Sequence, residues 1–270
     1  SRRRIRATRT IRTRRARTRM TTRKPTPERE LALQAAADLA RREKRTARVL
    51  LRTEKDALRD LTGVVRLLSE TVAASSNPSP ADVRRHMPIA HAAIGNGLLK
   101  SRKSAREAGR KRLLEELGRE ILSGHDRVFF SPLTIADAEL DELAAFVAAS
   151  SLSAAWGQAA LTAIAADRSP LRAVDAIVPN VERTVATEVA RAFNDERERL
   201  LVDMAEFLGG GDRSGKPDLP RPGAFKVWSA VLDSKTCSRC FAVDGEIVEL
   251  HKQFSVGSPP PLHPRCRCIV

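Results

Sequence analysis

The chain has 270 residues, 42% hydrophobic and 30% charged, with a formal net charge of +15 at pH 7; that balance supports a buried core and excludes a chain unable to fold. Aromatic residues make up only 4% and Tyr is absent, while Ala, Arg and Leu abound, so helices are favoured over strands. The four cysteines all fall between Cys237 and Cys268, too clustered for a disulfide-stapled secreted domain, and a reducing cytoplasm fits them better.

Residues 1–25 form a separate arm. Up to Lys24 it holds eleven Arg, one Lys and no acidic residue, so it carries most of the net charge. Like charges repel and its few apolar residues cannot offset the entropy lost on folding, which predicts disorder until a polyanion is present. Arg2, Arg3, Arg4, Arg6, Arg9, Arg12, Arg14, Arg15, Arg17 and Arg19 are the candidate contacts to DNA phosphates, which such an arm neutralises without reading sequence. The rival reading is docking on an acidic protein surface. The arm also lacks the apolar core of a secretory signal.

Residues 26–179 read as a helical region. Thr26 and Pro27 suit an N-cap and first helical position. Leu50, Leu58, Leu61, Val65, Leu68 and Val72 recur at steps of three and four with Arg48, Arg52, Lys55, Arg59 and Asp60 off the stripe, defining one apolar face that needs a partner helix. The spacing ends this helix near Ala74, with a second Ser-Pro cap at Ser79-Pro80 and a break or kink at Pro88. The next helix is basic in its middle (Lys100, Arg102, Lys103, Arg106, Arg110, Lys111, Arg112), which reads as a solvated face. A loop over 123–133 precedes a Thr134-capped, Ala-rich helix reaching about Asp167. Its stretch 143–166 is uncharged and long enough to span a bilayer, yet its Ala and Ser content favours a closely packed, buried helix and no membrane.

Residues 180–270 form a further unit. A short helix is expected before Pro179, then a helix capped by Asn180, a flexible Gly/Pro connection over 209–223, and short strands over 225–232 and 243–250, the second opening on the turn pair Asp244-Gly245. The cysteines flank these strands as Cys237-x-x-Cys240 and Cys266-x-Cys268, with His263-Pro264 just upstream of the second pair. Such spacing can place four sulfurs around a structural zinc, with His263 as an alternative ligand in place of Cys266 or Cys268, or as a residue of a rigid turn. Reduced thiols or disulfides are the competing readings. A catalytic deaminase zinc is disfavoured because Thr236, and not Pro, precedes Cys237 and no His-x-Glu is present. The fold expected is mainly α, a helical body of long helices with a small C-terminal β-hairpin, zinc-knuckle-like α+β module.

The ordered string Trp228, Asp233, Thr236-Cys237, Cys240, Asp244-Gly245, Pro260-Pro261, His263-Pro264 and Cys266-Arg267-Cys268, preceded by Thr187, Glu188, Arg191, Ala192 and Asn194, resembles the phage Mu F-like minor head protein family. Ala186 stands where that family favours Arg, and Arg265 where it often has Asn. The resemblance covers about a third of the chain. It implies a non-enzymatic minor capsid protein of head morphogenesis, found in the virion at the head interior or portal vertex and in the host cytoplasm during assembly. The implied partners are the portal protein, the major capsid protein and the phage genomic DNA, and the long helices could also self-associate. The alternatives are a zinc-dependent DNA-processing enzyme, which would need acid/base residues such as Asp233, Asp244 or Glu246 beside the metal, and a basic nucleoid-type DNA-binding protein.

Overall fold

The computed structural model describes residues 27–117, 135–208, 225–230, 236–257, 260–263, 266 and 268–270. The chain divides into two units, 1–39 and 40–270; of the first, the described part is the opening of the first helix. The expected arm, the 123–133 loop, the Thr26 and Thr134 caps and the 209–223 connection lie outside the described residues. The mainly helical expectation holds: among the described residues four long helices, α1 (Pro27–Ala73), α2 (Pro80–Leu117), α3 (Ile135–Ala165) and α4 (Arg172–Leu208), precede a small module of two short strands and one helical turn.

The expected apolar stripe of α1 is the face it buries, since Leu50, Leu61, Val65, Leu68 and Val72 are all in the core. Its partner helices come from the same chain. Thr46 meets Arg112, Asp60 meets Lys100, and Leu61 packs at Gly97; residue numbers rise on α1 as they fall on α2, so the two run antiparallel. Between them Ser79 closes a capping box, its Oγ and backbone N–H both donating to Asp82 Oδ2 at 2.7 and 3.0 Å, with Pro80 at the first helical position. Asp141 of α3 meets Arg102 and Arg106 while Ser150 meets His91, which sets α3 antiparallel to α2. Glu188 lies against Arg102 and Glu196 against Arg110, which sets α4 parallel to α2. The result is an up-down-up-down bundle.

Two proline expectations are corrected. Pro88 lies inside α2 and Pro179 inside α4, so no break follows Pro88, and neither a separate short helix nor an Asn180 cap exists. The helices run through because Val83, Ala90 and Ile94 on one, and Ile177 and Val181 on the other, are buried around the prolines. Burial of several such side chains, at ~1.5–3 kcal/mol each, outweighs the ~3 kcal/mol cost of an internal proline.

The solvated face expected for the middle of α2 holds for Lys100, Lys103 and Lys111, which are exposed, and is corrected for three arginines. Arg102 is 3% exposed, and Arg106 and Arg112 are buried too; carboxylates from distant parts of the chain meet the first two, Asp141 from α3 and Glu188 and Glu196 from α4, while Arg112 pairs with Glu115 and Glu116 on its own helix and donates to Thr46 of α1. Helix α3 buries only one face, formed by Ala145, Ala149, Leu152, Trp156 and Ala160, and leaves Leu140, Leu143 and Val147 exposed. By length and composition it could cross a membrane, but Trp156 donates its indole N–H to Ser69 Oγ at 3.0 Å within the bundle.

In the terminal module β1 (Phe225–Val227) pairs antiparallel with β2 (Ile247–Glu249), Val227 opposite Ile247. Both strands are shorter than expected. Past Val227 the chain leaves β2, and Ser229 pairs instead with Ile269 through reciprocal bonds of 2.9 and 2.8 Å. The start of the second expected strand is a turn in which Asp244 Oδ1 accepts from Ala230 N at 2.8 Å and Gly245, at φ +78°, donates to Trp228 O at 2.8 Å. Trp228, Val243, Phe254, Cys240, Cys266 and Cys268 form the module's own core, with Trp228 edge-on to Phe254 at 5.1 Å.

Candidate metal centre

The first two cysteines are placed by a single helical turn, α5 (Ser238–Ala242). Cys237 is its N-cap, and its Sγ accepts from Cys240 N at 3.4 Å; one turn later Cys240 points the same way and is buried. A cis Pro260-Pro261 peptide leads to His263, whose carbonyl accepts from Cys266 N at 3.1 Å. This turn brings the second group of donors onto the first.

His263 Nε2 lies 3.0 Å from Cys237 Sγ and 3.1 Å from Cys240 Sγ, and Cys240 Sγ lies 3.6 Å from Cys266 Sγ. Cys237, Cys240 and His263 form one ligand group; Cys240, Cys266 and Cys268 form a second, each with donor atoms within 4.8 Å of one another. The sequence left His263 between ligand and turn residue. Its carbonyl accepts within the turn and its ring lies against two sulfurs, so its position suits both roles. A tetrahedral site with Zn–S bonds of about 2.3 Å has sulfurs about 3.8 Å apart, close to the Cys240–Cys266 separation, and thiols with an imidazole suit a soft or borderline cation. The cluster can hold a metal ion.

The thiols differ in acidity. A hydrogen bond from the Cys268 thiol, aided by backbone N–H groups, brings Cys266 down to about 5, while the same contact and burial push Cys268 up. Burial and the neighbouring Cys266 charge drive Cys240 up to about 12. At Cys237 burial works upward, but hydrogen bonds at the start of α5 win and lower it. Cys266 therefore presents a thiolate near neutral pH, and Cys268 is its donor.

Among the upstream helix residues of the motif, Asn194 clamps this module to the bundle, while Glu188 and Thr187 bond within the bundle. Asn194, fully buried, donates from Nδ2 to Cys268 O at 2.9 Å and accepts from Val270 N at 3.2 Å. Glu188 pairs with Arg102 at 2.5 Å and with Arg191 at 3.2 Å. Thr187 donates to Arg183 O at 2.8 Å within its own helix. Trp228 fills the module core, its indole N–H without a hydrogen-bond partner among the described residues. Asp233, Pro264, Arg267 and the ten arm arginines lie outside the described residues. Of the three carboxylates named as acid/base candidates, the two described serve turns: Asp244 accepts from Ala230, and Glu246 accepts from Ser255 N and Oγ at 2.7 and 2.8 Å.

Sequence reading missed Arg197, which donates from Nε to Val270 O at 2.7 Å and pairs with Glu116 at 2.9 Å. It also missed the inner ion network of Arg102, Arg106, Asp141, Glu188 and Glu196. A signal was present, because the apolar series Ala90, Ile94, Leu98 on α2 continues at the same spacing through Arg102, Ala105 and Gly109, setting an arginine at a core position. No protein-family model, curated protein or solved structure matches the chain.

Proposed function

We propose that this protein is a minor head protein of a tailed phage, a non-enzymatic structural component of the portal vertex or inner shell whose terminal module is closed by one zinc. The observation that carries the reading is convergence: the motif residues Asn194, Trp228, Cys237, Cys240, Asp244, His263, Cys266 and Cys268, spread over some seventy-five positions, serve to fold the tail and fasten it to α4. A motif used in this way belongs to a part that is built in. Cys237, Cys240, His263 and Cys266 would hold the metal, with Cys268 donating to the Cys266 sulfur. Zinc there supplies cross-linking energy to a module too small to rely on burial alone. The turn roles of Asp244 and Glu246 support a structural reading over the enzymatic one, and the arm arginines supply sequence-independent contact with the genome.

The test is mass spectrometry of purified virions combined with metal analysis of the isolated chain. A few copies per particle and about one zinc per chain, lost in Cys240→Ser, are expected. Particles assembled without this polypeptide would refute the head-protein reading, and a metal-free native chain would refute the zinc.

A further inference from the structure

Helix α1 carries a second charged feature besides the arm. Arg41, Arg45, Arg48, Arg52, Lys55, Arg59 and Arg66 fall at steps of four and three, then seven, and every one is exposed. At 3.6 residues per turn they share one line on the side of the helix opposite Leu50, Leu61, Val65 and Val72. Arg59 leans on Asp56 and Asp60 at 3.6 and 3.3 Å, whereas the side chains of Arg45, Arg48, Arg52, Lys55 and Arg66 have no ion pair among the described residues. From Arg45 to Arg66 this face therefore presents five uncompensated cations along one line.

We infer that this face of α1 is a binding surface for the phosphate backbone of duplex DNA. From Arg45 to Arg66 it runs about 30 Å at 1.5 Å per residue, close to one turn of duplex at about 34 Å. Its cations stand about 5 Å apart along the axis up to Arg59, with Arg66 about 10 Å further on, each on a long side chain able to follow a strand. Between Arg41 and Arg66 the line holds no aromatic and no large aliphatic side chain, the anchors that carry a protein interface. Its chemistry is charge alone, which positions DNA without reading bases. The inference needs only the geometry of α1 and stands whether or not the head-protein reading holds.

The experiment compares the full-length protein with a variant carrying Arg45→Gln, Arg48→Gln, Arg52→Gln and Lys55→Gln, and with a charge-matched control carrying Arg84→Gln, Arg168→Gln, Arg172→Gln and Arg183→Gln, all exposed positions off α1. Binding of a mixed-sequence duplex of about 30 bp is titrated between about 50 and 200 mM salt. The α1 variant should lose about 3 from the slope of log K against log salt and bind at least about tenfold more weakly at 0.1 M salt, with the control unchanged in slope. In parallel the duplex should shield Lys55 from amine acetylation while Lys103 and Lys111 stay reactive, a readout independent of the arm. Equal slopes for the α1 variant and the parent, or equal labelling of Lys55 with and without DNA, would overturn the inference. So would protection of Lys55 by poly-glutamate and not by the duplex, which would mark a protein-facing surface.

Discussion

Asn194 uses both ends of its amide on the tail, donating to one buried backbone group and accepting from another two residues on. Asn194→Ala would leave the Cys268 carbonyl and the Val270 N–H without their partners, at ~1–3 kcal/mol for each unsatisfied group. A loss of about 2–4 kcal/mol in urea unfolding is expected, and a change under 1 kcal/mol would show that the clamp is dispensable. The inner carboxylates titrate in opposite directions. Burial pushes Asp141 upward, but hydrogen bonds from Arg106 and Arg102 prevail and hold it below the usual carboxylate range. Its contribution is therefore present above the unfolded-state pKa and is lost as pH falls through the folded value. Asp195 is the reverse: burial raises it to about 6 against the attraction of Arg106 and Arg102, so its charged form destabilises the fold above that pH and the cost disappears as pH falls toward 3.8. Asp195→Asn should accordingly stabilise the protein by about 2 kcal/mol at pH 7.5 and by nothing near pH 3.5, as read from paired denaturation curves. A gain of equal size at both pH values would contradict the linkage.

At the scale of elements, glycine decides how closely helices approach. A Cβ at Gly109 would lie 2.6 Å from the carbonyl oxygen of Phe193, and a backbone atom cannot swing aside, so α2 and α4 depend on this missing methyl group. Gly109→Ala should cost about 1–3 kcal/mol through overpacking, whereas Gly63→Ala, with nothing within 4 Å, should gain up to about 1 kcal/mol from helix propensity. Thermal melts of the two variants should shift in opposite directions; a shared direction would rule out the packing explanation. The same contrast explains what the sequence revealed. The α1 stripe was legible because its period is carried by Leu and Val within one helix, and the Ser79-Pro80 start because a cap is a local device. The prolines misled because their local cost is visible in sequence, whereas the burial that outweighs it comes from Ile94, Ile177 and Val181 meeting other helices. Arg102 and Arg106 were misread for the same reason: their partner Asp141 lies 35 to 39 residues away. In the site, the spacing picked out the five residues that cluster, but the approach of His263 to both Cys237 and Cys240 depends on the backbone contact of His263 with Cys266, which no spacing rule encodes.

For the whole molecule, the tail has a core cluster of its own and only Ile269 of its described residues packs into that of the bundle, so the two should respond separately to loss of a bound metal. A strong chelator is expected to release the tail and shift the emission of Trp228 to longer wavelength, while far-UV circular dichroism keeps nearly all of its helical signal; loss of both signals together would mean that the module holds up the bundle. The arginines, too, form two populations. Those of the inner network are closed off from solvent ions, and those along α1 face the solvent. Screening at about 1 M salt, where the Debye length is about 3 Å, reaches the second population and not the first. A brine wash during purification should thus strip adventitious polyanions from the outside of this protein while its four helices stay assembled, so that strong electrolyte, a hazard to many charged folds, becomes the gentlest way to obtain it clean.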